Sequence, residues 1–301
     1  MTENKAEPSH HGMNESSNRQ YPNETLRLLI ERGSCRSFSD RQIPNDVLEL
    51  ILEAGIHSAT GGNLQPYSII KITDAATKQE LDRLCGDQVF VATAPVDLLF
   101  CIDWRRLQRW AQLQNAPFAA NNSFRHFWIS FQDTIIAAQS ICTAADALEL
   151  GSVYVGTVLE CFRELRQMFK LPDGVFPVVL VSLGYPKVRP QPKKKLGTPV
   201  IVHDEKYHER SDAELLAAYE EKYPAWQKEI TPGRLETFER VCRSLHGEEY
   251  ARECLANVRA NGCFNAAQNY FGLHYQADLM VDRNADFLQI TENFGFGWFS
   301  P

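Results

Sequence analysis

The sequence predicts an α+β protein in which strands are separated by helices and packed in layers. Three observations predict it. Four short apolar runs, at residues 68–72, 96–102, 152–155 and 178–183, read as strands. Between them lie segments of helical spacing, the longest an apolar stretch over 127–150. Beyond Ser211 the pattern is wholly helical, so the strand-bearing part gives way to a helical C-terminal extension. With 301 residues the chain can bury one large core, or one core plus an appendage.

The elements follow in order. Residues 1–23 are rich in Ser, Asn, Glu and His without apolar periodicity, and read as a disordered tail. A first helix runs over 24–32 with Leu26, Leu29 and Ile30 on one face. Pro44, Asn45 and Asp46 open a second that ends near His57, with Leu48, Ile51 and Leu52 inward. Asp74 caps a third that reaches Cys85. The continuously apolar run 96–102 suits a central strand buried on both faces. Residues 103–114 form a short helix carrying Trp104 and Trp110, either a lid over a pocket or a surface helix packed on the core; 115–123 is loop. Alanines at 137, 138, 144, 145 and 147 of the long helix permit close helix packing, in the core or at a dimer seam. Gly151 ends that helix, and Gly156 and Thr157 turn the third strand into a helix over 159–169. In the extension, Ser211 and Glu214 make a capping box for a helix to Lys222. Thr231 and Pro232 open another, and a third spans 248–261, ended by Gly262. The aromatic stretches 269–275 and 294–299 pack on the core or on a partner subunit, because exposing them would leave a large apolar patch.

Composition narrows the function. A formal charge of −7 argues against generic nucleic-acid binding, which favours a basic domain. The eight cysteines make no C-x-x-C pair and no zinc-finger spacing with histidine, so buried free thiols in a reducing compartment are expected. His203 and His208 do not form a metal-protease motif, and no metal site is expected. No segment approaches the roughly 20 apolar residues of a membrane span, and the first residues lack the apolar core of a secretory signal. A cytoplasmic protein without membrane or nucleic-acid partners is the expectation.

Two stretches carry chemistry. In Ser58-Ala59-Thr60-Gly61-Gly62-Asn63-Leu64-Gln65-Pro66-Tyr67 the glycines let backbone approach a flat surface, and Asn63 and Gln65 offer amides to the edge of a heteroaromatic ring. A Gly-rich helix-to-strand loop is the plain alternative. In Arg32-Gly33-Ser34-Cys35-Arg36-Ser37-Phe38, two arginines bracket a serine, and planar guanidinium groups with a hydroxyl suit a phosphate. Surface salt bridges are the alternative there. The segment 187–195 ends in Lys193, Lys194 and Lys195 and reads as a solvated linker or a phosphate clamp.

Together these stretches resemble the FMN-dependent nitroreductase family. Five pieces match its pattern in order: Arg32-x-Ser34-x-Arg36-x-Phe38, Gly61 to Tyr67, Ala94-Pro95-Val96, Val155-Gly156-Thr157, and Gly184-Tyr185-Pro186 followed by Lys193 to Leu196. Residues 200–203 resemble the family's tail end. The resemblance implies a central, mostly antiparallel sheet flanked by helices, with an FMN-binding domain over 24–207 and the helical extension over 208–301. It implies that Arg32, Ser34 and Arg36 hold the FMN phosphate and ribityl chain, with Lys193 and Lys195 on the phosphate side. Val155, Gly156 and Thr157 then face the ring, and Thr60, Gly61, Gly62 and Asn63 lie against it from the other subunit of a homodimer. Gln65 belongs to the same loop. Two positions depart from the family: Tyr67 stands where tryptophan is common, and 87–91 offers no lysine.

The implied activity is an FMN-dependent oxidoreductase that passes hydride from NAD(P)H through flavin N5 to an electron-poor small molecule, a nitroaromatic or quinone. No catalytic side chain is needed, since the cofactor carries the chemistry. The long extension keeps two alternatives open. One is a specialised flavin enzyme, such as a reductive dehalogenase or a dehydrogenase of a modified substrate. The other is a flavin-binding protein without turnover.

Overall fold

A computed structural model describes residues 20–298. The expected disordered tail lies almost wholly outside the described residues. Four strands, β1 (Tyr67–Ile72), β2 (Val96–Asp103), β3 (Gly151–Val155) and β4 (Val175–Gly184), form one sheet in the order β1-β2-β4-β3, with every pair antiparallel. Both β2 and β4 are buried along their whole length, as their unbroken apolar runs require. The β2–β4 register shifts between Phe100 and Cys101, opposite Pro177. Proline cannot donate to the ladder, so the irregularity falls where a hydrogen bond is already missing.

The helices of the first part are α1 (Glu24–Glu31), α2 (Asn45–Ile56), α3 (Ala75–Leu84), α4 (Phe90–Thr93), α5 (Trp104–Leu113), α6 (Phe124–Ala147), α7 (Phe162–Met168) and α8 (Thr198–Ile201). Asp74 caps α3 by accepting from Thr77 N at 2.8 Å, and Asp103 caps α5 by accepting from Arg106 N at 3.0 Å. On α5, Trp104 is buried and donates to Ser130 Oγ at 3.1 Å, while Trp110 is exposed; it is a surface helix packed on the core. The long helix α6 buries Ala137, Ala138, Ile141 and Ala145. Its approach to α2 is so close that a Cβ on Gly55 would lie 2.5 Å from Ile141 Cγ1. Elsewhere on its surface α6 leaves Phe124, Trp128, Phe131 and Ile136 exposed.

The extension begins with α9 (Asp212–Lys222), where both halves of the Ser211–Glu214 capping box are formed. Then comes α10 (Pro232–Asn261), broken at Gly247, where φ is 85° and ψ 178°. The two expected helices are thus the two arms of α10, with glycine supplying the break. Phe238, Cys242, Ala251, Leu255, Val258 and Phe264 make a second, smaller core there. A π-helix over Gln268–His274 follows, whose Gly272 admits Phe238: a Cβ would stand 2.2 Å from its ring. After α11 (Leu279–Asp282) and α12 (Asn284–Asn293) the chain returns to the first part. Phe294 and Phe296 are buried in the main core, with rings 5.0 Å from Phe176 and 5.4 Å from Phe127 respectively. Phe294 and Phe296 are therefore covered by the chain's own core, whereas Phe271 and Tyr275 of the other aromatic stretch stay exposed, against the expectation for it. All eight cysteines are free, six of them buried.

Candidate functional site

Residues 32–38 run extended along the outer edge of β3. Cys35 N donates to Ser152 O at 2.9 Å, Ser39 N to Tyr185 O at 2.8 Å, and Lys187 N to Ser37 O at 3.0 Å. A Cβ on Gly151 would come within 2.5 Å of Cys35 Cβ, so this seating needs glycine in the strand. Side chains of an extended segment alternate, which holds over Ser34, Cys35 and Arg36; Ser37 is exposed and Phe38 points into the protein with Cys35. The sequence motif R-x-S-x-R thus leaves Ser34 and Arg36 outward, while Arg32 is mostly buried.

Arg32 is held in place. Its Nη2 donates to Ser152 Oγ at 2.9 Å, and its Nε stands 3.4 Å from Asp146 Oδ2, an ion pair without hydrogen-bond geometry. The other oxygen of Asp146 pairs with Arg189 at 2.9 Å, and Arg189 also donates to Leu150 O at 2.9 Å. Burial pushes the Asp146 carboxyl up, against the pull of Arg189 and Arg32. Residues 190 and 191 close over the motif, since a Cβ on Gly33 would lie 3.0 Å from both Pro190 Cβ and Gln191 O. Arg36 has no carboxylate partner among the described residues; its guanidinium lies 6.0 Å from the Phe90 ring. Of the three lysines, Lys194 turns to Glu221 at 3.1 Å. Lys193 and Lys195 are exposed and show no ion pair among the described residues.

Beyond β3, Val155 is buried, while Gly156 and Thr157 are exposed on a single 3-10 turn over Gly156–Glu160. A Cβ at Gly156 would meet nothing within 4 Å. Gln88 ties this turn down, its Nε2 donating to Thr157 Oγ1 and to Cys85 O, each at 2.8 Å.

The second stretch sits on the other edge of the sheet, at the start of β1. Gly61 N donates to both oxygens of Asp133 on α6, at 3.1 and 3.2 Å. Burial raises the Asp133 carboxyl, and the Gly61 N–H opposes the shift. Gly62, Asn63 and Gln65 take left-handed φ values of 61°, 55° and 50°. Glycine reaches that region freely; for the other two the tethers must hold it. The Gln65 amide expected to face a ring instead donates to Ile56 O at 2.9 Å, and its backbone N donates to Thr60 Oγ1 at 3.2 Å. Arg106 reaches over from α5 to Tyr67 O at 3.1 Å and to Gln65 O. What stays open is Gly62 and Asn63, both exposed.

Within one chain these two groups do not meet. One lines β3 and the other opens β1, with β4 and β2 between them; three strand spacings, about 14 Å, separate them across the sheet. Ser152 and Tyr67 also stand at opposite ends of it, level with Leu183 and Phe176 of β4. No hydrogen bond or ion pair joins them among the described residues. Five residues that shape the groups escape the motifs: Gln88, Arg106, Asp133, Asp146 and Ser152. Each is a tether, and Arg106 does this from the surface.

Comparison with known proteins places the chain. The pattern of the nitroreductase family matches residues 29–185, and the chain belongs to that family. An oxygen-insensitive NADPH nitroreductase from Salmonella typhimurium is 33% identical over 198 residues, covering 66% of this chain and 80% of that protein. An FMN reductase (NADPH) from Bacillus subtilis is 25% identical over 217 residues, 71% of this chain and 87% of its own. Among solved structures, the hypothetical oxidoreductase YcnD from Bacillus subtilis superposes with a TM-score of 0.70 at 25% identity, covering 92% of this chain and 99% of that one.

Proposed function

We propose that this chain is an FMN-dependent oxidoreductase of the nitroreductase family, taking reducing equivalents from NAD(P)H and delivering them to an electron-poor nitroaromatic or quinone. The observation that carries the reading is the outward pair Ser34 and Arg36, with Arg32 braced behind them, together with the open turn at Gly156 and Thr157. Its donor set fits FMN: Arg36, without a carboxylate partner among the described residues, and Arg32, held in place by Asp146, for a phosphate, then a glycine with free space and exposed backbone for a planar ring. The names of the Salmonella and Bacillus relatives, an NADPH nitroreductase and an FMN reductase (NADPH), support the same cofactor and reductant.

In this reading Arg36, Arg32, Lys193 and Lys195 bind the phosphate, each charge-assisted bond contributing about 1.5–3 kcal/mol. Ser34 adds its hydroxyl. Val155, Gly156 and Thr157 present backbone N–H groups and a hydroxyl to the ring, and Gln88 fixes the Thr157 hydroxyl. Thr60, Gly61, Gly62 and Asn63 cover the ring from a second copy of the chain, with Gln65 bracing that loop. A homodimer follows because the two groups stand on opposite edges of one sheet. The exposed row Phe124, Trp128, Phe131 and Ile136 on α6 supplies an apolar surface for it. FMN held by these residues would supply the two-electron redox chemistry. The chain's own part is to bind, orient and exclude water, with no side-chain nucleophile. Residues 24–207 form the flavin unit, 208–301 the helical extension, and the cytoplasm is the compartment that suits eight free thiols. Among the described residues no helix is long and apolar enough to cross a membrane.

The test is an absorbance spectrum of the purified protein, with the released chromophore identified by mass, followed by anaerobic mixing with NADPH. FMN near one per chain that bleaches on mixing is the expected result. A colourless protein that takes up no FMN would overturn the proposal, and bound FMN that resists both NADPH and NADH would reduce it to a binding role.

A further inference from the structure

A cleft of about 510 Å³ opens between α7 with its following turn and the C-terminal helix α12. Arg163, Arg166, Gln167 and Lys170 line it. They fall at i, i+3, i+4 and i+7, so they share one side of α7 and the turn that ends it. Leu171, Ile290 and Phe294 give it an apolar floor.

The cations are not equivalent. Arg166 is already committed: it pairs with Asp173 at 2.5 Å, donates to Asn293 O, and lies 4.9 Å from the Phe294 ring centroid. It braces the wall. Arg163 and Lys170 are exposed, and neither has a carboxylate partner among the described residues. Two uncompensated cations over an apolar floor are an unusual arrangement on a chain with a net charge of −7.

The cleft is separate from the phosphate-side flavin group, whereas the Gly61–Asn63 loop opens at the cleft's end of the sheet, with β2 between β1 and β4. Asp173 and Phe294 lie at the start of β4, where Val175 faces Asp103. The group of Arg32, Ser34 and Arg36 lies at the other end, where Gly184 faces Gly151. Ten residues of extended strand place these ends about 30 Å apart.

We propose that this cleft is a second ligand site, for a small organic anion that carries a carboxylate or sulfonate on an aromatic or branched apolar body. Arg163 and Lys170 take the anionic head, and Leu171, Ile290 and Phe294 take the body. Because α12 forms one wall, the ligand bridges the C-terminal helix to α7.

Isothermal titration of the FMN-loaded protein with 1-naphthalenesulfonate tests this. The expected result is one site per chain, with a dissociation constant that rises at least tenfold in the double variant Arg163→Glu, Lys170→Glu. Both side chains are exposed, so FMN content and melting temperature should not change and serve as folding controls. Ile290→Asp, which spoils the floor and leaves the cations, should weaken binding by a similar factor. Absence of saturable binding would overturn the proposal. So would an affinity untouched by both variants, or inorganic sulfate binding as tightly as the naphthalene probe.

Discussion

The two edges of the sheet are built from different materials. Along β3 the working groups are charged side chains, locked by a buried carboxylate that two arginines share. At the head of β1 they are backbone groups, held in left-handed conformations by Asp133, Gln65 and Arg106. Charge suits an anion that must be held; shaped backbone suits a planar surface that must be covered without filling its space. In the proposed function each edge is half of a site, and the halves serve different parts of one ligand.

If the halves meet only across two chains, separating the chains should break the site. Trp128→Glu places a charge in the exposed apolar row of α6. Light scattering should then give the mass of one chain where the parent gives two. Losing the second chain's two or so ring contacts should weaken FMN about 100-fold. A monomer that keeps its FMN affinity would mean that one edge suffices.

Within the β3 edge, holding and binding separate. Asp146→Ala leaves Arg32 and Arg189 without their shared carboxylate. A fully buried pair broken this way loses roughly 3–5 kcal/mol; with Arg189 half-exposed, about 2–3 kcal/mol is expected, read from the urea midpoint of the apoprotein. Arg36→Ala removes a group without a carboxylate partner, so the same midpoint should hardly move. FMN affinity should fall by about 2 kcal/mol, roughly 30-fold. Unchanged FMN affinity in Arg36→Ala would remove the phosphate assignment.

The strands between the edges hide a third kind of polar group. Asp97 of β2 is buried, accepts from Ser182 Oγ at 2.5 Å, and has a pKa pushed up to about 7 by burial, against Ser182 and Lys78. The folded state therefore keeps a proton that the unfolded chain, near pKa 3.9, has lost. This contribution is complete below pH 4 and declines toward pH 7, by at most about 1.4 kcal/mol per pH unit. Asp97→Asn should flatten that part of the stability–pH curve. An equal slope in parent and variant would assign it to other groups.

Much of this was legible in the sequence, for a physical reason. Strand runs, the Asp74 and Ser211 caps and the break before Glu248 are local patterns, and each formed close to where it was read. The R-x-S-x-R motif was legible in part, since Ser34 and Arg36 flank buried Cys35 by local alternation while Arg32 turns to Ser152 and Asp146. The tethers were not. Arg32 meets Ser152 across 120 positions, Gly61 meets Asp133 across 72, and Gln88 meets Thr157 across 69, and no spacing rule spans such intervals. Helix α12 was missed as well; its mixed face, Phe287 and Leu288 beside Asp286 and Glu292, gives a weak period until Phe294 is seen anchored in the core. Gln65 shows the remaining gap, since its type suggested a ring contact and its position made it a brace.

The smallest effect sharpens the contrast most. Gly62 has φ 61° and ψ 16°, and a Cβ there would meet only Leu64, at 3.6 Å. Gly62→Ala therefore adds no clash within the chain, only the strain of a left-handed alanine, about 1 kcal/mol. If this loop covers a ring bound by another copy, the added methyl points into space that only the ligand uses. The variant should keep the parent's melting temperature to within a few degrees and retain the phosphate-side affinity for riboflavin-free anions such as inorganic phosphate. FMN itself should bind several-fold more weakly. Parent-like FMN binding in Gly62→Ala would show that the β1 loop does not touch the ring, and the β3 edge would then hold the cofactor alone.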